Sequence, residues 1–226
     1  MGWWENSLAS LDFETTGVDN KTARPVQIAL AIVNPDGSVV RQNSEVVDPE
    51  CDIPKGASDV HGITADKVKG KRKASEVIPR VVQMFEEGGL AHGLPLVIYN
   101  VSYDWPLLIH EARRHGIEVK ARPHLLDPLV IDRTFDKYRK GSRKLGAVAQ
   151  NYGIKLHNAH QAKADAMASA LIMFALARRY PELRKATLQD LQRLQVTWFE
   201  QWKVGINAYW EKKGSKDRVE GSWPGI

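Results

Sequence analysis

Apolar residues open the chain in blocks that read as strands. Leu8–Phe13, Val26–Val33 and Val39–Val47 are rich in β-branched and aliphatic side chains, and "NPDGS" at Asn34–Ser38 separates the second and third as a hairpin. Two shorter apolar runs, Pro95–Asn100 ("PLVIYN") and His124–Asp127 ("HLLD"), read as further strands. Elsewhere the period lengthens. Ala74–Glu87 sets Val77, Val81, Met84 and Phe85 at helical spacing before Gly88-Gly89, Asp104–His115 ends at Gly116, and Lys144–Tyr152 ends at Gly153. Ala162–Tyr180 is Ala-rich and stops at Pro181, while Thr187–Lys212 carries Leu188, Leu191, Trp198, Trp202, Ile206 and Tyr209 along one side. A loop, "DIPKGASDVHGITADKV", leads into a short helix near Thr64. A three-strand meander followed by strands alternating with helices predicts a mixed α/β sheet flanked by helices, with the functional cleft beyond the strand ends.

Composition narrows this picture only slightly. The 226 residues are 43% hydrophobic, enough for one sizeable core, and contain neither internal repeats nor a Gly/Ser-rich linker. The net charge of +5 permits an anionic partner without requiring one. Cys51 is the single cysteine, which rules out an intrachain disulfide and suits a reducing cytoplasm. No apolar run approaches the length of a membrane span, so no membrane association is expected. "MGWWENS" lacks the basic and apolar regions of a secretory signal, and Asn6 stands where a myristoylation motif needs Ser or Thr.

Candidate chemistry lies in acids at strand–helix junctions. In "LDFETTG" (Leu11–Gly17), Asp12 and Glu14 sit at i and i+2 of a strand and point to one face, with Phe13 directed oppositely into the core. Two carboxylates that close repel unless a cation joins them, and hard oxygen ligands suit Mg²⁺ or Mn²⁺; two solvated acids capping a turn are the alternative. Asp104 follows the apolar strand in "VIYNVSYDWPLL", as a first-turn helix acid or a ligand. Asp165 opens the Ala-rich helix, close to the buried face defined by Ala168, Leu171, Ile172 and Ala175. His160, five residues earlier, is a candidate general base, with His157 as a rival and a plain surface histidine as the alternative for both.

"LDFETTG", "YNVSYD" and "HQAKAD" resemble the three motifs of the DEDDh 3′→5′ exonucleases, the DnaQ-like family that includes the proofreading epsilon subunit of bacterial DNA polymerase III. "VHGIT" (Val60–Thr64) resembles a further segment found between the first two, and the likeness covers about residues 7 to 180. It implies an RNase H-like fold with a central mixed five-stranded sheet. It implies an exonuclease domain over 1–182, and 183–226 then forms a helical extension packing on the same domain. It makes Asp12, Glu14, Asp104 and Asp165 ligands of two divalent cations, Mg²⁺ or Mn²⁺, and His160 the acceptor of the attacking water's proton. Thr15, Thr16 and His61 match positions facing the 3′-terminal nucleotide, and Asn100 one bordering the cleft. The implied activity is 3′→5′ hydrolysis of DNA to nucleoside 5′-monophosphates, with a DNA polymerase or other replication proteins as partners. Short RNA as substrate, or a non-catalytic 3′-end-binding module, are the alternatives. Gln27 and Tyr99 depart from the Glu and His common in the family.

Two further features remain. "DRTFDKYRKGSRKLG" gathers Arg133, Lys137, Arg139, Lys140, Arg143 and Lys144, which either hold phosphates of the entering strand, with Tyr138 or Phe135 stacking on a base, or form a solvated surface. Lys163 reads as a solvated helix residue, and the aromatic stripe of the last helix as packing on the same domain rather than on a partner.

Overall fold

The computed structural model describes residues 2–155 and 162–225. Strands β1 (Leu8–Thr15), β2 (Pro25–Val33), β3 (Val39–Val46), β4 (Leu96–Val97) and β5 (Leu125–Leu126) form one sheet in the order β3-β2-β1-β4-β5. β1 pairs antiparallel with β2 and β2 with β3, whereas β4 runs parallel to β1 and β5 parallel to β4. The predicted mixed five-stranded sheet is therefore present, with the acid-bearing strand at its centre. Helices α1 (Lys55–His61), α2 (Ala65–Val68) and α3 (Ala74–Phe85) connect β3 to β4. α4 (Val101–Arg114) joins β4 to β5, and α5 (Pro128–Phe135), α6 (Leu145–Asn151), α7 (Ala162–Arg179), α8 (Pro181–Lys185) and α9 (Leu188–Lys212) follow.

The pleat sorts β1 between two cores. Ala9, Leu11 and Phe13 pack with Ile28, Leu30 and Ile32 against α3 and α4, while Leu8 packs with Ala29, Ala31 and Val33 against α7. Asp12 and Glu14, in step with Leu8, thus face α7. That helix is buried on most sides, and Ala162, Ala166 and Ala170 line its sheet-facing core, where small side chains permit close approach.

Three helices were not anticipated. α1 and α8 span only seven and five residues, too short for a period to show. α5 hides its period because Pro128 to Asp132 are all buried, so its first turn shows no polar face. Leu191, Trp198, Phe199 and Trp202 of α9 lie against the hydrophobic clusters, whereas Tyr209 is exposed. Among the described residues, no helix is long and apolar enough to cross a membrane.

The basic segment after α5 divides. Asp132, fully buried, receives Arg139 at 2.7 Å, Arg143 at 2.5 Å and the Tyr152 hydroxyl at 3.0 Å. Arg133 lies 3.7 Å above the Trp202 ring, and Phe135 packs against Tyr180 and Trp198. Three arginines and one aromatic ring are thus structural, leaving Lys137, Lys140, Lys144 and Tyr138 exposed to solvent. Asp132→Ala would strand two inward-facing guanidinium groups, and urea unfolding should show a loss of about 3–5 kcal/mol; a loss below about 1 kcal/mol would mean that the loop holds without this anchor.

Candidate active site

Three elements converge at the end of β1. Asp12 and Glu14 emerge on the α7 side, and Asp165 in the first turn of α7 meets them, so that one carboxylate oxygen from each lies within 4.8 Å of the others. Asp104, in the first turn of α4, approaches from the opposite layer. β1 extends past β4, whose pairing ends at Ser10 and Val97, and the Phe13 N–H instead donates to Asp104 Oδ1 at 3.2 Å. Asp104 is buried and stands beside the group of three without belonging to it.

The electrostatics follow from that crowding. Burial, then Asp104, Asp165 and Glu14, push the Asp12 carboxyl well above the usual carboxylate range. Burial and the neighbouring Asp165 raise Glu14 to about 7. Burial and the charge of Glu14 raise Asp104 against the opposing pull of the Phe13 N–H. Two other buried acids are treated differently: Glu111 is paired with Arg24 and Arg114, and Asp132 with Arg139 and Arg143. Among the described residues no Lys or Arg forms an ion pair with Asp12, Glu14 or Asp104. An all-carboxylate set whose like charges oppose one another fits a hard divalent cation in both ligand type and charge.

The turn beyond β1 is fastened at several points. A register shift separates Glu14 from Thr15, as a β-bulge that ends regular pairing opposite Pro25. Thr15 Oγ1 donates to the Gly17 carbonyl at 2.7 Å and lies 2.7 Å from the Tyr103 hydroxyl, which itself donates to Gly17. The Thr16 hydroxyl, nearly buried, accepts from the Arg24 N–H. His61 ends α1, and Gly62 follows with φ of 71°, a left-handed conformation suited to glycine that turns the chain back. His61 Nε2 donates to the Thr15 carbonyl at 3.2 Å while Nδ1 accepts from the Ile63 N–H, which defines the neutral tautomer; burial lowers its pKa. Asn100 precedes α4 with φ of 70°, which Asn tolerates better than most residues, and is exposed. His160 and His157 lie outside the described residues, and Lys163 is exposed as expected.

Sequence reasoning missed two residues that build this site. Tyr103 ties α4 to the Thr15–Gly17 turn; its tyrosine hydroxyl carries no local signal. Asp127 caps both α5 and the start of α4, accepting from Leu129 and Val130 and also from Asn100 and Val101. Asp before Pro after an apolar run is an N-cap signal, and "LLDP" contains it.

Residues 10–173 match the family model described as Exonuclease, of the RNase T type, and the chain belongs to that exonuclease family. The expected DnaQ-like identity is borne out. A DNA polymerase III PolC-type of Lacticaseibacillus paracasei is 30% identical over 167 residues, covering 74% of this chain but 11% of the relative, so the chain spans about a tenth of that protein's length. In fold, E. coli exonuclease I, solved in complex with a dA16 oligonucleotide, aligns with a TM-score of 0.68 at 20% identity over 80% of this chain and 42% of its own. Exonuclease X, solved with 5′-overhanging duplex DNA, aligns with a TM-score of 0.60 at 20% identity over 83% of this chain and 99% of its own. The sheet and its flanking helices are thus RNase H-like.

A pH signature follows from Glu14. Its folded pKa is raised from 4.5 to about 7, so its contribution to stability is intact below 4.5 and is lost as pH rises through 7. In EDTA, Glu14→Gln should therefore melt above the wild type at pH 8, with the gap closing towards pH 4.5. Saturating Mg²⁺ should shrink the pH 8 gap by stabilising the wild type more. Thermal melts at the two pH values check this, and equal melting of the two proteins at pH 8 would contradict the charge clash.

Proposed function

We propose that this chain is a metal-dependent 3′→5′ exonuclease that hydrolyses the terminal phosphodiester of single-stranded or frayed DNA and releases nucleoside 5′-monophosphates. The observation that carries the reading is the convergence of Asp12, Glu14 and Asp165, with Asp104 beside them, at the end of the central strand. These four residues would hold two divalent cations, Mg²⁺ or Mn²⁺, which when bound supply activation of water and charge compensation at the leaving 3′-oxygen. The carboxylates of Asp12, Glu14 and Asp165 hold their charge together at one point, so a phosphate is acceptable there only once that charge is neutralised. His160 accepts the proton of the attacking water. The Thr15–Thr16–Gly17 turn, His61 and Asn100 border the 3′-terminal nucleotide, and the hydrogen bonds that fix the turn supply rigidity at that edge.

DNA is favoured as substrate because the relative of Lacticaseibacillus paracasei is a DNA polymerase and both aligned exonucleases were solved with DNA. The polymerase relative also supports a partner acting at DNA 3′ ends. The division into a nuclease domain over 1–182 and an extension over 183–226 is part of the same reading.

A 5′-labelled single-stranded oligonucleotide incubated with Mg²⁺ or Mn²⁺ should give a ladder of progressively shorter labelled products. Immediate release of labelled mononucleotide would reverse the polarity, and a matched RNA oligomer digested faster would reassign the substrate. Asp12→Ala should slow the reaction by at least roughly 100-fold, the scale of a lost metal ligand.

A further inference from the structure

Asp127 is a buried hub that joins three separate parts of the chain. Its Oδ1 accepts from Asn100 N at 3.1 Å, Leu129 N at 3.0 Å and Val130 N at 3.4 Å, and its Oδ2 from Val101 N at 2.9 Å. The fifth donor is the indole Nε1 of Trp223, 3.3 Å from Oδ2 and almost 100 residues away in sequence. α9 adds a further clamp, since Gln195 Oε1 accepts from Asp127 N at 2.6 Å while its Nε2 donates to the Leu125 carbonyl at 2.9 Å. Both Trp223 and Gln195 are buried.

The segment after α9 reaches this hub by a defined path. Asn207 exchanges two hydrogen bonds with Val219, Lys203 Nζ donates to the Gly221 carbonyl at 2.7 Å, and Trp223 then inserts beside Asp127. Gly225 continues onto the first turns of α4, where a Cβ would lie 2.8 Å from Pro106 Cγ and 2.9 Å from the Ser102 carbonyl oxygen. Ser102 and Pro106 flank Asp104 on that helix. The backbone N–H groups that Asp127 holds are those of the two residues at its start.

We propose that Trp223, acting through Asp127, is a positioning residue for Asp104, so that residues 214–225 belong to the nuclease site although they contribute no ligand. The proposal rests on the exonuclease reading for what Asp104 does, and on the hydrogen bonds above for how it is held. Trp223 lies outside the matched family segment.

Trp223→Phe keeps an aromatic ring in the pocket and removes the indole donor. In the metal-free protein, amide exchange over Asn100–Asp104 should accelerate by roughly five-fold or more, with α7 amides unchanged. The Mn²⁺ concentration for half-saturation, read by electron paramagnetic resonance without nucleic acid, should rise several-fold. On oligonucleotide, kcat should fall by a similar factor with KM unchanged. Gly225→Ala, which forces the same segment off α4, should reproduce the exchange and Mn²⁺ changes, and it carries the test if Trp223→Phe does not fold. Unchanged exchange at Asn100–Asp104, or faster exchange with an unchanged Mn²⁺ titration, overturns the proposal. A wild-type chain that binds Mn²⁺ yet degrades no oligonucleotide would sink the exonuclease reading alone, because the exchange and Mn²⁺ measurements still decide the positioning role.

Discussion

Carboxylates crowded together in a partly desolvated cleft repel, and the fold must hold them there against that repulsion. Asp12, Glu14 and Asp165 are in that position, with Asp104 adding its charge to theirs. What holds them is the rigidity behind each: a strand buried on both faces at the centre of the sheet, and a helix pressed onto that sheet through alanines. Loosely held acids would turn away into solvent and relieve the strain. Asp12, Glu14 and Asp104, fixed by a packed core, keep the raised proton affinity that burial and mutual repulsion give them.

Acids elsewhere in the chain meet different partners. Glu111 and Asp132 are as buried as any residue of the site, yet each meets arginines at ion-pair distance. Asp127 meets backbone N–H groups and an indole instead. The same side-chain chemistry therefore stands in three settings in one chain: facing arginines, capping helices and crowding against other acids. Burial does not separate these settings, since Asp104, like Glu111, Asp127 and Asp132, is buried. The donors facing each carboxylate do.

The site also depends on both layers of the molecule. Asp12, Glu14 and Asp165 belong to the α7 side of the sheet, whereas Asp104 comes from α4 on the other, reaching round because β4 ends early and leaves the Phe13 N–H available. Any element that fixes the start of α4 relative to β1 therefore bears on the geometry of the cluster. Tyr103 does so from the turn side and Asp127 from the β5 side.

Much of this was legible along the chain, because strand and helix periods are set by neighbours within about four residues. The alternation of β1 alone put Asp12 and Glu14 on one face and Phe13 on the other, and the spacing of apolar residues after Asp165 put that acid near the buried side of its helix. Short or largely buried helices such as α1 and α5 escaped, since a period needs both length and an exposed face to show. Partner choice was beyond any local pattern. Arg139 and Arg143 read as part of a basic run until Asp132 turned them inward, and no local pattern couples Trp223 to Asp127. Local periodicity decides which way a side chain points, but the charge or donor it meets there comes from distant sequence, and only the folded chain brings the two together.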